Sequence, residues 1–292
     1  MAHRLARRPA VSKARKKPPG GRHGTSIQVS PLTALEIGAY ALASLLYVSF
    51  LLGFLSGMRD RLARAVLALA VVMHLFDIGV RCLHGTNPLS STPEAMSFIS
   101  FLLAAGYLLA SLRYGLASAG AFAAPAALVL LLLARVVPAE AGTPAMGPLG
   151  YTHILLATVG VAVFFIAAVL AGVYLFQDRQ LRRKQFGRIA GVGTPLDTLD
   201  RLEARCVSIG FPIFTVAIVT GAMWIARLGV LHGMAALRPE YLLAFVTWVA
   251  FAVLLIARFG GGWRGRRAAW LTLGGFGGTV LVLVVYFLRH AA

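Results

Sequence analysis

Apolar residues run along this chain in long unbroken blocks, not in the short alternation of a half-buried strand. A bilayer core about 30 Å thick is crossed by about 20 apolar residues in helical form. Eight blocks meet that length and predict eight helices: Leu32–Met58, Ala63–Cys82, Ala95–Arg113, Leu116–Val137, Tyr151–Phe176, Val207–Leu228, Tyr241–Arg258 and Trp270–Leu288. In hydrocarbon each backbone N–H and C=O must be satisfied within its own segment, which selects helix. The clusters "HGTNPLSSTPE" and "AEAGTPAMGPLG" are turns. No tandem repeat is visible. The expectation is a single all-α domain over residues 31–290, a polytopic membrane helix bundle in the lipid bilayer.

Composition agrees. The chain is 59% hydrophobic and 13% charged, with a mean hydropathy of +0.79. Soluble domains are about half apolar and about a quarter charged. The net charge of +18 would suggest nucleic acid in a soluble protein. Here the cations occupy a tail and short loops, where they set topology and meet anionic lipid, so no nucleic-acid partner is expected.

Lys and Arg near the span ends orient the bundle. Loops after the first, third, fifth and seventh helices carry Arg59, Arg61, Arg64, Arg113, Arg179, Arg182, Arg183, Lys184, Arg188, Arg201, Arg205, Arg258, Arg264, Arg266 and Arg267. The opposite side has Arg81, Arg135, Arg227, Arg238 and Arg289. The first set is therefore cytoplasmic, which places both chain ends outside. Residues 1–30, with "RLARRPAVSKARKK", form a basic tail whose Pro, Gly, Lys and Arg content predicts disorder. Three readings of it stand. It is cytoplasmic and the helix count is off by one; it crosses regardless; or, the preferred one, the start lies too far upstream and the chain begins near Val29.

On this orientation His74, His84, His153, His232 and His290 all lie on the outer side or in the outer half. Neutral imidazole is a common metal ligand and an axial ligand of haem iron; histidine is also tolerated at interfaces for no such reason. "HLFDIGVR" sets His74, Asp77 and Arg81 on one helix face, with His74 about 10 Å deeper than Arg81. Ionisable groups in a span usually face the bundle interior. The trio serves as an interhelical hydrogen-bond network, or holds His74 toward a polar cavity where Asp77 and Arg81 meet an acidic group such as a haem propionate.

On the inner side, "GTPLDTLDRLEARC" predicts a short amphipathic helix feeding the sixth span. Thr194 is its cap, Pro195 its first position and Asp197 the capping-box acid. Leu196, Leu199 and Leu202 form its apolar stripe. "QDRQLRRKQFGR" and "GGWRGRRAAW" are basic runs suited to anionic headgroups or to docking a cytoplasmic partner. "GGFGGTV" lacks the context of a nucleotide loop and instead lets helices approach closely. Cys82 and Cys206 fall on opposite sides and in no C-x-x-C, so neither a disulfide between them nor a c-type haem attachment site is expected. No Ser-His-Asp arrangement or carboxylate pair points to catalysis; the chain does not read as an enzyme.

Several stretches, in order, resemble the cytochrome c assembly protein family, the CcsA-like and HemX-like membrane proteins. "NPLSSTPE", with Pro88, Leu89, Ser90 and Glu94, is similar to an outer loop of that family. "YTHILLA" is similar to the opening of a helix. "TPLDTLDRLEARCVSIGFPIFTVAIVTGAMW" and "GGWRGRRAAW" are similar to its inner segments. The resemblance implies a haem-handling bundle. His153 and His290 would be axial ligands of haem iron on the outer face. His74, with Asp77 and Arg81, would be an inner ligand or relay. It implies the plasma (inner) membrane of a bacterium, and partners among other cytochrome c assembly proteins. The HemX-like alternative is a regulator or scaffold for a cytoplasmic haem-synthesis enzyme. A small-solute transporter is a third reading, for which an inverted repeat would speak. The chain departs from the family before Thr247 and Trp248. "HGMAALRPEYLL" keeps Pro239, but Arg238 and Glu240 occupy the acid and lysine positions, and the family's tryptophans are missing. Ala257 stands where a histidine is usual.

Overall fold

The computed structural model describes residues 31–57, 60–116, 119–137, 147–184, 194–227 and 238–290. Among the described residues eight helices follow one another: α1 Pro31–Leu55, α2 Asp60–Leu83, α3 Thr92–Tyr114, α4 Gly120–Val136, α5 Pro148–Arg182, α6 Leu196–Arg227, α7 Pro239–Phe259 and α8 Arg266–His290. Seven are long and apolar enough to cross a membrane, and α4 is a shorter apolar helix. The expected polytopic all-α bundle is the fold observed. The basic tail and His232 lie outside the described residues.

The helices form two rings of four. In the first half α1 packs on α2 and α4, and α3 closes the ring against the same two helices. In the second half α5 and α7 each pack on α6 and α8. The halves meet mainly where α3 lies on α5. Helix α2 shows how sequence selects the inward face. Ala63, Leu67, Ala70, His74, Asp77, Ile78 and Arg81 recur three or four apart and are buried. Leu69, Val72, Leu75 and Phe76 face outward. Small and polar residues inside, large apolar ones outside, is the arrangement expected where lipid replaces water.

The glycines of "GGFGGTV" act as the sequence suggests. A Cβ on Gly275 would meet the Phe251 ring at 3.0 Å, and one on Gly278 would meet Thr247 Oγ1 at 2.6 Å. Their absence lets α7 lie directly on α8.

The inner segment differs from expectation. "PLDTLDRLEARC" is no separate helix but the first turns of α6, which continues through Pro212. At 1.5 Å per residue, the 35 residues of α5 and 32 of α6 span about 50 Å, well beyond a bilayer core of about 30 Å. The two antiparallel helices therefore project together at the basic end. The leucine stripe is consumed internally: Leu199 and Leu202 are buried in the core of the first half beside Leu116 and Ala119. Thr194 donates its hydroxyl hydrogen to the Gly115 carbonyl, 3.2 Å away, in the turn after α3. Gly115 can offer that carbonyl because it ends α3 in a left-handed conformation, φ 62°. Asp197 pairs with Arg201 at 2.8 Å one turn on. Packing between the halves thus fixes the segment that capping was expected to fix.

Candidate functional site

The predicted site residues fall into two groups, one in each half. In the first half His74 is fully buried. Its Nδ1 lies 3.2 Å from the Tyr47 hydroxyl on α1, and its Nε2 lies 3.2 Å from the Ser97 hydroxyl on α3. The Tyr47 and Phe101 rings meet the imidazole edge-on. Both ring nitrogens have hydroxyl partners, and hydroxyls both donate and accept, so either tautomer is satisfied.

Arg81, two turns further along α2, is the hub. It donates to Ser97 Oγ at 2.7 Å, pairs with Asp77 at 2.9 Å and also pairs with Glu94. Asp77 in turn accepts from Arg135 of α4 at 3.2 Å. Arg135 reaches Glu36 of α1 at 3.3 Å and stacks over the Tyr40 ring at 4.5 Å. Glu36 meets His84 at 3.2 Å. One connected network thus runs from the surface at His84 down to Tyr47 and ties all four helices of the first half. The acids that meet Arg81 come from the protein itself. A guanidinium does not give up its proton. Arg81 therefore holds the two carboxylates and the Ser97 hydroxyl in place. The network also neutralises Arg81 and Arg135, two of the few cations at this end.

His153 has a different environment. It lies in the first turns of α5, half-buried against α6. Its Nδ1 is 2.7 Å from the Ala217 carbonyl. A carbonyl only accepts, so Nδ1 carries the hydrogen and Nε2 keeps the lone pair. Among the described residues Nε2 has no hydrogen-bond partner. Iron- and zinc-bound histidines are usually fixed in this way, with the second ring N–H given to a carbonyl or carboxylate. The seat depends on Gly221: a Cβ there would stand 2.6 Å from the imidazole Cε1 and 2.7 Å from Nδ1. Trp224 flanks it, ring centroids 6.0 Å apart, and Gly150 leaves room for the indole.

His290 closes α8. Phe165 of α5 and Phe276 of α8 touch, ring centroids 4.8 Å apart. His153 is twelve residues before Phe165 and His290 fourteen after Phe276. In antiparallel helices these offsets amount to about 18 and about 21 Å toward the same end. The two backbones therefore reach similar levels. Around α5, His153 is turned about 120° from Phe165, toward α6 rather than α8. His74, Asp77 and Arg81 belong to the other half and do not join this site. Among the described residues no three His, Cys, Asp or Glu side chains converge on a common metal position. A single well-oriented imidazole suits haem iron, which takes one or two axial ligands from a protein.

Sequence reasoning missed Tyr47, Ser97, Glu36 and Arg135 in the first network. It also missed a second buried cluster, Asp200, Glu203 and Arg258, at the basic end. The available signal was the presence of ionisable residues of both signs at one bundle end, since such groups in spans seek each other. Gly221 carried no signal that a one-dimensional reading could use.

The family profile described as Cytochrome C assembly protein matches residues 37–291. The protein named Cytochrome c biogenesis protein CcsA in Synechococcus elongatus is 27% identical, over 68% of this chain and 76% of its own length. Its namesakes in Gloeothece citriformis and Crocosphaera subtropica are each 38% identical over 31% of this chain, covering 26% and 25% of their own lengths. No solved structure matches the chain. The profile match reaches into all eight helices, and the chain belongs to the cytochrome c assembly protein family.

Proposed function

We propose that this multi-pass membrane protein serves cytochrome c biogenesis in a bacterial plasma membrane by holding haem at its outer end, for hand-over to other assembly proteins. The observation that carries the reading is the state of His153. Its Nδ1–H is committed to the Ala217 carbonyl, and its Nε2 lone pair is left available. His153 would hold the haem iron from the α5–α6 side, and His290, at a similar level on α8, would be the second residue to hold it. His74 would be an inner ligand only on releasing Tyr47 or Ser97, with Asp77 and Arg81 positioning it. Bound haem would supply the iron that the imidazole holds and the group to be attached to the cytochrome. The residues of this chain orient the imidazole through Ala217, keep its seat clear through Gly221 and shield it with Trp224.

The relatives' names and the family support a role in cytochrome c maturation, and the altered stretch before Thr247 supports holding over a complete attachment site. Deletion from the host should lower the amount of cytochrome carrying covalent haem, read by haem staining of membrane fractions. A wild-type copy should restore it and His153→Ala should not. Full restoration by His153→Ala would rule the reading out.

A further inference from the structure

At the basic end of the second half, three helices meet on a buried charge cluster that haem handling leaves unused. Arg258 of α7 donates through Nη2 to the Asp200 carboxylate at 2.7 Å and to the Asp200 carbonyl at 2.5 Å. The same Asp200 oxygen accepts the Gly265 N–H at 2.8 Å, which holds the loop before α8. Glu203, one turn along α6, is fully buried. Its Oε1 accepts from Thr272 of α8 at 2.5 Å and stands 3.7 Å from Arg258 Nη1. Its Oε2 is buried with no hydrogen-bond partner among the described residues, and so is Arg258 Nη1.

Two carboxylates here face one guanidinium, and neither pairs with a second cation among the described residues. Asp200 takes the short contacts. The other ionisable or polar groups facing Glu203 are Tyr174 on α5, Cys206 on α6 and Thr272 on α8, none of them cationic. A buried carboxylate with an unsatisfied oxygen and no cation of its own is among the most costly states a protein can hold. A proton removes the charge where a second counter-ion is lacking.

We propose that Glu203 is a proton-binding site, held as a neutral carboxylic acid at neutral pH in the junction of α6, α7 and α8. The proton sits on Oε2, and Oε1 keeps the hydrogen bond from Thr272. The site needs no haem and is independent of His153. A carboxyl that prefers its neutral form when folded binds more protons folded than unfolded. Its stabilisation is fully present below the ionisation of the unfolded chain's carboxyl and is lost as pH rises from there through the folded ionisation.

Infrared spectra of the purified protein in lipid nanodiscs test this. The wild type at neutral pH should show a carboxylic-acid C=O band that Glu203→Gln removes. Its melting temperature should fall more steeply with rising pH than that of Glu203→Gln. Asp200→Asn leaves Arg258 to Glu203 alone, so at neutral pH it should also lose the band while keeping the acceptor for Gly265. A wild-type spectrum that matches Glu203→Gln in the acid region overturns the proposal. If Glu203→Gln fails to fold, Asp200→Asn decides: loss of the band supports the site, and an unchanged band overturns it.

Discussion

Arg81→Ala is expected to cost about 3–5 kcal/mol of folding stability, the loss typical of removing one partner from a buried ion pair. Arg81 is 4% exposed and bonds to Asp77, Glu94 and Ser97 at once. Its removal leaves Glu94 without that cation and Asp77 with Arg135 alone. It also unties α2 from α3, because Glu94 and Ser97 are on the neighbouring helix. The contrast is Arg182→Ala, which removes an exposed pair with Asp178 along one helix and should cost about 0–1 kcal/mol. Detergent-titrated unfolding of the three proteins in parallel measures both. Combining Arg81→Ala with Glu94→Gln should recover part of the loss, since the orphaned charge is then gone. Equal losses for Arg81→Ala and Arg182→Ala would mean that the network does not hold the first half together.

Phe251→Ala should be the most damaging apolar substitution in the second half. The Phe251 ring is fully buried and stacks on Phe164 of α5, centroids 3.8 Å apart and planes within 6°. Its other edge fills the space above Gly275 of α8. One side chain thus joins α5, α7 and α8. Phe→Ala in soluble cores costs about 3–5 kcal/mol. In lipid no hydrophobic transfer drives helices together, so the loss is that of packing contacts, and about 3 kcal/mol is the expected value. Phe245→Ala, on the exposed face of the same helix, should leave the unfolding midpoint nearly unchanged. The outcome matters for the site, because the seat of His153 depends on how α5 lies on α6.

Much of this fold was legible because membrane helices write themselves into sequence as length and apolarity. The eight blocks became eight helices, and the polar face of "HLFDIGVR" became the buried face of α2. What was not legible depends on distances between segments far apart in the chain. Glu36 and His84 are 48 residues apart and Arg135 and Glu36 are 99 apart, so their pairing follows only from the ring of α1 to α4. The segment before α6 was misread as a separate helix because its leucine stripe looks the same facing headgroups or facing another bundle. The state of His153 was hidden most completely. Its location at the mouth of a helix was plain, but its tautomer is set by the Ala217 carbonyl on another helix and its clearance by Gly221, 68 positions on. The same limit separated the candidates: His74 and His153 looked alike in the sequence. In the fold one is bonded at both nitrogens and the other at one.

The most direct measurement is the absorption spectrum, oxidised and reduced, of the purified protein after haem supply, for wild type, His153→Ala, His290→Ala and Gly221→Ala. A Soret band in the wild type, lost in His153→Ala and His290→Ala and weakened in Gly221→Ala, whose methyl group would crowd the imidazole, is the predicted result. No Soret band in the wild type, or one indifferent to His153→Ala, would contradict haem binding through His153.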